Sequence, residues 1–233
     1  MRRLSFLALT ITGVLVAAAP ALAGEVGFGG LTVDSGISVP TQSFQARKFS
    51  TTIEQQYDFS CGSAALATLL RFSYDKKVSE QNVFSDMFLH GDKRLIKSAG
   101  FSLLDMKNYL ARHGFDSAGF RAPLAKLAEV SLPAIVLINE SGYNHFVVIR
   151  GFRDGEILIA DPAVGMKLES IKHFQAQWSG IFFLILSDAA AAQQKFRADM
   201  SWKYAPLPPY AISEYAVTLA TLQQVTIRNS GSF

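Results

Sequence analysis

The hydrophobic period of this chain changes near its middle, and that change narrows the folds open to it. Up to about residue 130 apolar residues recur at helical spacing. Residues 61–71 (CGSAALATLLR) combine small residues and leucines into a strong helix pattern. Residues 79–88 read as a second helix. Residues 102–113 read as a third, with Ser102 as N-cap, Asp105 at the capping-box position and Gly114 as stop. Residues 115–121 read as a strand and 123–130 as a short helix. Beyond Pro133 the period becomes that of strands, over 134–139, 145–152, 157–161 and 181–186, several too apolar to face water. Residues 168–178 are expected as a helix between the last two. Helices first and an antiparallel sheet second make an α+β plan.

The two ends differ from this middle. Met1-Arg2-Arg3, an apolar stretch over 4–19 and Ala21-Leu22-Ala23 together form a signal-peptide pattern, with cleavage expected after Ala23. Pro20 breaks the apolar stretch short of the roughly 20 residues that cross a bilayer. The address implied is the bacterial periplasm, with no stable membrane insertion after cleavage. Residues 24–49, rich in Gly, Ser and Thr up to about residue 45, read as an extended N-terminal arm. The Ala189 to Ala192 run and Pro206-Leu207-Pro208-Pro209 mark residues 188–233 as a C-terminal extension, with a helix expected over 213–225. The domain proper is therefore placed at 50–187.

Composition removes several function classes. Hydrophobic residues make up 49% and aromatics 12%, which excludes a disordered chain. Removing Arg2 and Arg3 from the 22 basic residues leaves 20 against 19 acidic ones, too even a balance for nucleic-acid binding. No Gly-rich phosphate loop, C-x-x-C or H-E-x-x-H occurs, and no cluster has metal-ligand spacing, so neither cofactor nor metal is expected. The single cysteine excludes an internal disulfide. In an oxidising compartment a lone thiol is buried and inert, paired with another chain, or chemically required.

The surroundings of Cys61 favour the last. It stands where the loop EQQYDFS meets the 61–71 helix, and a helix N-terminus favours the thiolate. A reactive, partly exposed thiol is expected there, with Gly62 letting a substrate backbone approach. A thiol nucleophile needs a base. Of the four histidines, His90 lies in a polar turn, His113 at a helix end and His173 on an exposed helix. His145 alone opens an apolar strand (HFVVIRGF), where a polar ring needs a reason. The base needs an orienting partner, and Asp161 closes the next apolar run (ILIAD). A turn-forming Asp before Pro162 is the plainer reading of that residue. A two-residue turn at Asp154-Gly155 sets residue 164, not 161, opposite His145. Contact therefore requires an earlier turn or a bulge. For the oxyanion, the Cys61 N–H and a glutamine from the preceding loop, Gln55 or Gln56, are candidates.

These residues resemble the C39 peptidases, papain-like cysteine peptidases that cut double-glycine leader peptides. The matching pieces are Gln55-x5-Cys61-Gly62 with its Ala/Leu helix, Gly142-Tyr143-Asn144-His145-Phe146-Val147-Val148, and Asp161-Pro162 sixteen residues after His145. The family places its oxyanion glutamine six residues before the cysteine, which selects Gln55. The resemblance implies a papain-like fold, helices packed on an antiparallel sheet, with Cys61, His145, Asp161 and Gln55 as the catalytic set. The chain is similar to the stand-alone exported members of proteobacteria, one of which accompanies the functional-amyloid (Fap) secretion system. The expected function is a periplasmic cysteine endopeptidase acting on a secreted polypeptide, after a double-glycine-type site. Its expected partners are amyloid subunits or their export machinery. The alternative is a catalytically silent module that binds such a polypeptide and assists its export. Degenerate members of that kind lose a triad residue, whereas all four positions are filled here. A cell-wall hydrolase would show Asp-Cys-Ser-Gly at the nucleophile in place of Phe59-Ser60-Cys61-Gly62.

Overall fold

The computed structural model describes residues 43–205, apart from Ser141 and Asp199. The expected signal peptide, residues 24–42 of the expected arm and the helix expected over 213–225 lie outside the described residues. The described chain opens with five helices: α1 (Phe44–Lys48), α2 (Cys61–Ser73), α3 (Glu80–His90), α4 (Lys93–Ala99) and α5 (Leu103–Arg112). It continues through β1 (Ser117–Arg121), α6 (Leu124–Val130), β2 (Ala134–Glu140), β3 (Tyr143–Arg153), β4 (Glu156–Asp161), β5 (Gly165–Ser170), α7 (Ile171–Gln177), β6 (Trp178–Ile185) and α8 (Ala189–Arg197). The architecture is α+β, with one six-stranded antiparallel sheet in the order β1-β6-β2-β3-β4-β5.

Local chemistry explains the boundaries. Ser79 and Ser102 cap α3 and α5, and Asn82 and Asp105 return the bond to the cap backbone, so both helices start on capping boxes. Helix α2 is buried almost throughout because nothing but small residues and leucines precedes Arg71 on it. It packs on β3, β2 and β4, and α3, α5 and α8 pack on it in turn. The runs in β2, β3 and β4 are apolar on both faces because both are buried, with α2, α7 and α8 packed on these strands.

Three expectations need revision, and one helix carried no expectation at all. The end of the arm is not extended. Ser43 caps α1, whose residues (FQARK) suit a helical turn. Residues 168–178 are not one helix. Residues 166–169 alternate apolar and polar, so β5 completes a hairpin with β4, and α7 starts only after the Ser170 cap. Helix α4 had no apolar period to announce it. Asp92 caps it and Gly100, at φ 77, ends it. Between Ser187 and Ala205, finally, the described chain stays packed on the fold. Helix α8 buries Ala192 and Phe196 in the same core as α2 and β3.

The β3–β4 hairpin settles the question of contact between His145 and Asp161. Its turn is at Asp154-Gly155, both with positive φ (50 and 80), the pair a two-residue hairpin of matching twist requires. Arg153 pairs Glu156 and Gly151 pairs Leu158, but Ile149 pairs Ile159. One extra residue, Arg150, is bulged. Without it Asp161 would oppose Val148 and point away from His145. With it the register sets Asp161 opposite Val147, on the side of the sheet that carries His145.

Candidate active site

Cys61 is the first residue of α2. At that position its N–H has no acceptor inside the helix, and the positive end of the helix dipole lies beside the thiol. The preceding loop is closed on itself. Ser60 Oγ accepts from the Tyr57 N–H (3.1 Å) and donates to the Tyr57 carbonyl (3.0 Å). The thiol is buried, 5% exposed, rather than partly exposed, because α2 enters the domain interior from its first turn. Gly62 also has a different purpose from the one expected. A Cβ there would lie 2.9 Å from Met106 and 3.0 Å from Phe101, with Phe146 next, so the glycine admits neighbouring side chains rather than substrate.

Facing this helix end is an ionic pair. His145 Nε2 and Asp161 Oδ1 are 2.7 Å apart, with both side chains almost fully buried. Asp161 Oδ1 also accepts the Ala163 N–H at 2.9 Å, in the Asx-turn that follows Pro162. Its Oδ2 lies 3.1 Å from Lys167 Nζ. Burial pushes the Asp161 carboxyl up, but the His145 hydrogen bond, the imidazole and Lys167 charges and the Ala163 N–H outweigh it and hold it at about 2. Burial pushes the His145 imidazole down. The bond to Asp161 and the neighbouring Cys61 side chain overcome this and raise it to about 9. The other ring nitrogen, Nδ1, is buried without a conventional hydrogen-bond partner. The ring is thus anchored at Nε2 and open at Nδ1, with a thiol for neighbour.

Gln55 links the two halves. Its N–H donates to the Pro162 carbonyl (3.0 Å), next to Asp161. Its side-chain Nε2 donates at 3.1 Å to the Tyr57 carbonyl, the one Ser60 also uses. Gln55 Oε1 is buried and unpartnered. Gln56 is exposed and lines a separate cleft with Arg71 and Glu80. The structure therefore brings Cys61, His145, Asp161 and Gln55 into one place.

Two further residues join them. Tyr143 donates its hydroxyl to the Asp58 carbonyl at 2.7 Å, and its ring centroid is 6.2 Å from that of His145. It bridges the loop before Cys61 to the start of β3. In the sequence Tyr143 stands inside the Gly142 to Val148 motif, two residues before His145. Lys167 carried no signal beyond the alternation of Met166-Lys167-Leu168-Glu169. The other histidines lie elsewhere. His90 and His113 meet Asp86, at 3.4 and 3.2 Å, and His173 meets Glu169 at 3.7 Å. Among the described residues no group of three or more His, Cys, Asp or Glu side chains is arranged to hold a metal ion.

Comparison with known proteins places this geometry. The family model of the Peptidase C39 family matches residues 50–190. The chain belongs to the Peptidase C39 family. It is 38% identical over 164 residues to a probable functional amyloid protease, FapD, of Pseudomonas aeruginosa, covering 70% of this chain and 73% of that one. It is 37% identical over 179 residues to the probable functional amyloid protease FapD of Pseudomonas fluorescens, covering 77% and 79%. Among solved structures, the peptidase domain of Streptococcus ComA, a bifunctional ABC transporter of a quorum-sensing pathway, superposes with TM-score 0.50 at 21% identity. The match covers 58% of this chain and 96% of that domain, and it establishes the C39 peptidase-domain fold. No helix among the described residues of this C39 member is long and apolar enough to cross a membrane.

Proposed function

We propose that this chain is a periplasmic cysteine endopeptidase that cuts an exported polypeptide in an extended segment. The observation that carries the reading is the His145–Asp161 pair at 2.7 Å, with the free Nδ1 turned to a thiol at a helix N-terminus. In this reading the Cys61 sulfur, having given its proton to His145 Nδ1, attacks the scissile carbonyl carbon. The carbonyl electrons move onto oxygen, where the Cys61 N–H and the Gln55 side-chain amide hold the developing charge. Collapse of the intermediate breaks the C–N bond, and the imidazolium returns its proton to the leaving amine. Water, deprotonated by the same imidazole, then releases the acyl group from sulfur. Asp161 remains ionised throughout and keeps Nε2 protonated.

The bridge from Tyr143 to the Asp58 carbonyl supports a narrow entrance, which small residues before the bond would suit. A Gly-Gly or Gly-Ala pair is therefore the proposed cleavage context, in keeping with the family's double-glycine leaders. The names of the two Pseudomonas relatives support a functional-amyloid subunit, or a component of its export, as substrate. The export signal over 1–23 supports the periplasmic location. The test is incubation of the purified mature chain with the secreted polypeptides encoded beside it, with Cys61→Ala in parallel. Cleavage at a small-residue pair, lost in Cys61→Ala, is expected. Cleavage that survives the substitution would remove the enzyme reading. Binding of such a polypeptide without cleavage would favour the silent module.

A further inference from the structure

Lys167 sits on β5 in the midst of three carboxylates. Its Nζ is 3.1 Å from Asp161 Oδ2, 3.1 Å from Glu140 Oε1 and 3.9 Å from Glu169 Oε2. The strand register explains the gathering. Ile159 pairs Lys167 and Ile157 pairs Glu169, so both stand on the side of Asp161. Glu140 pairs Tyr143, which shares a side with His145. A row of polar groups therefore runs across four strands on one face: Glu140 on β2, Tyr143 and His145 on β3, Asp161 on β4, Lys167 on β5.

We propose that Lys167 is a positioning residue, holding the Asp161 carboxylate so that Oδ1 faces the imidazole. This rests on the peptidase reading above for its consequence in catalysis. Asp161 has two oxygens to satisfy in a site where its side chain is 3% exposed. Oδ1 takes the His145 and Ala163 N–H groups, and Oδ2 has Lys167. Lys167 is itself tethered by Glu140 and Glu169, so it cannot follow Asp161 if the carboxylate turns. Without the ammonium, the Asp161, Glu140 and Glu169 carboxylates face one another with no cation between them. Repulsion then turns the Asp161 carboxylate away from its hydrogen bond to Nε2.

The direction of the effect separates this role from simple charge. Lys167 is a cation near a cationic imidazolium. If it acts on His145 only through space, its removal lets His145 hold its proton to higher pH. If it positions Asp161, its removal weakens the Nε2 bond, and His145 loses its proton at lower pH. The other charged or titratable groups facing this site are Cys61 of α2, Tyr143 of β3, Glu140 of β2 and Glu169 of β5. His173 of α7 lies beside Glu169, and Lys48 of α1 packs against Gly165 at the head of β5.

The experiment follows the His145 ring by NMR titration in the mature chain, with His90, His113 and His173 as internal references. The unaltered protein is compared with Lys167→Met, Lys167→Gln and Lys167→Arg, alongside kcat and KM on a cleaved polypeptide. Lys167→Met and Lys167→Gln are expected to move the His145 midpoint to lower pH. They should also lower kcat by about 10- to 100-fold at unchanged KM, and Lys167→Arg should restore both. An unchanged or raised His145 midpoint in the folded Met and Gln variants overturns the proposal. The two readings fail separately. If the unaltered chain cleaves nothing but its His145 midpoint still falls on losing Lys167, the peptidase reading is lost and the positioning role stands. An active chain with an indifferent His145 gives the reverse.

Discussion

The two halves of the site are built by different forces. The nucleophile's half, the first turn of α2, is set mainly by packing, with one buried polar link in which Ser63 Oγ donates to Glu80 Oε1 at 2.9 Å. Cys61 is placed by steric contact, with Gly62 admitting Phe101, Met106 and Phe146 and with buried small residues behind it. The base's half, the ends of β3 and β4, is a buried ionic row in which three donors converge on one carboxylate. Packing is insensitive to pH and fails through volume. An ionic row tolerates little change of charge and fails through pH. A thiol needs only to be held still at a helix end, whereas an imidazole must also be kept in one tautomer.

Substitutions that separate these halves sharpen the contrast. The largest effect is expected from His145→Ala, which should lower kcat/KM by about 10²–10⁴-fold. His90→Ala, His113→Ala and His173→Ala should stay within a few-fold. Equal damage from His113→Ala in a folded protein would redraw the assignment. Gly62→Val comes next. Its added volume meets Phe101 Cβ, a point that cannot swing aside, and should cost about 1–3 kcal/mol of stability at every pH, read by urea denaturation.

Asp161→Asn should cost about 2 kcal/mol, and only in a window. Asp161 titrates at about 2 in the fold against 3.8 ordinarily, so its contribution is present above 3.8 and lost as pH falls toward 2. His145 titrates at about 9 against 6.5, so its contribution is complete below 6.5 and lost as pH rises through 9. The stability difference between the unaltered chain and Asp161→Asn should therefore peak between about pH 4 and 6.5. A difference constant from pH 3 to 10 would show that the pair is not ionic. The smallest effect belongs to Tyr143→Phe, which gives up one exposed hydrogen bond, worth under about 1 kcal/mol. Its expected mark is a relaxed preference for small residues before the cut, seen by sequencing products from a mixed peptide pool.

Much of this was legible in the residues because it depended on local chemistry. Small residues and leucines announced α2, the Ser102 and Asp105 capping box announced α5, and unbroken apolar runs announced β2, β3, β4 and β6. His145 and Asp161 stood out as candidates because a polar ring or carboxylate breaks an apolar strand pattern, and Cys61 because it opens a helix, whereas only the family resemblance separated Gln55 from Gln56. What escaped depended on pairing across the chain. The Arg150 bulge that turns Asp161 toward His145 leaves no trace in strand periodicity. Arg150 is buried by partners far along the chain, with its guanidinium donating to the Thr51 carbonyl and to Ser201. Lys167 fell just before a stretch expected to be helical, and only the pairing of β5 with β4 sets it beside Asp161. The role of Gly62 was misread for the same reason, since its neighbours Phe101, Met106 and Phe146 come from three other segments.

The central claim is that Cys61 and His145 act as one unit, and the chain's single cysteine lets it be measured without a substrate. The measurement is the rate of Cys61 alkylation by iodoacetamide at pH 6, in the unaltered chain and in His145→Ala, with free cysteine as reference. The account predicts a rate well above that of free cysteine in the unaltered chain, despite burial of the thiol, and its loss in His145→Ala. A rate equal to or below free cysteine, or one indifferent to His145, would contradict it.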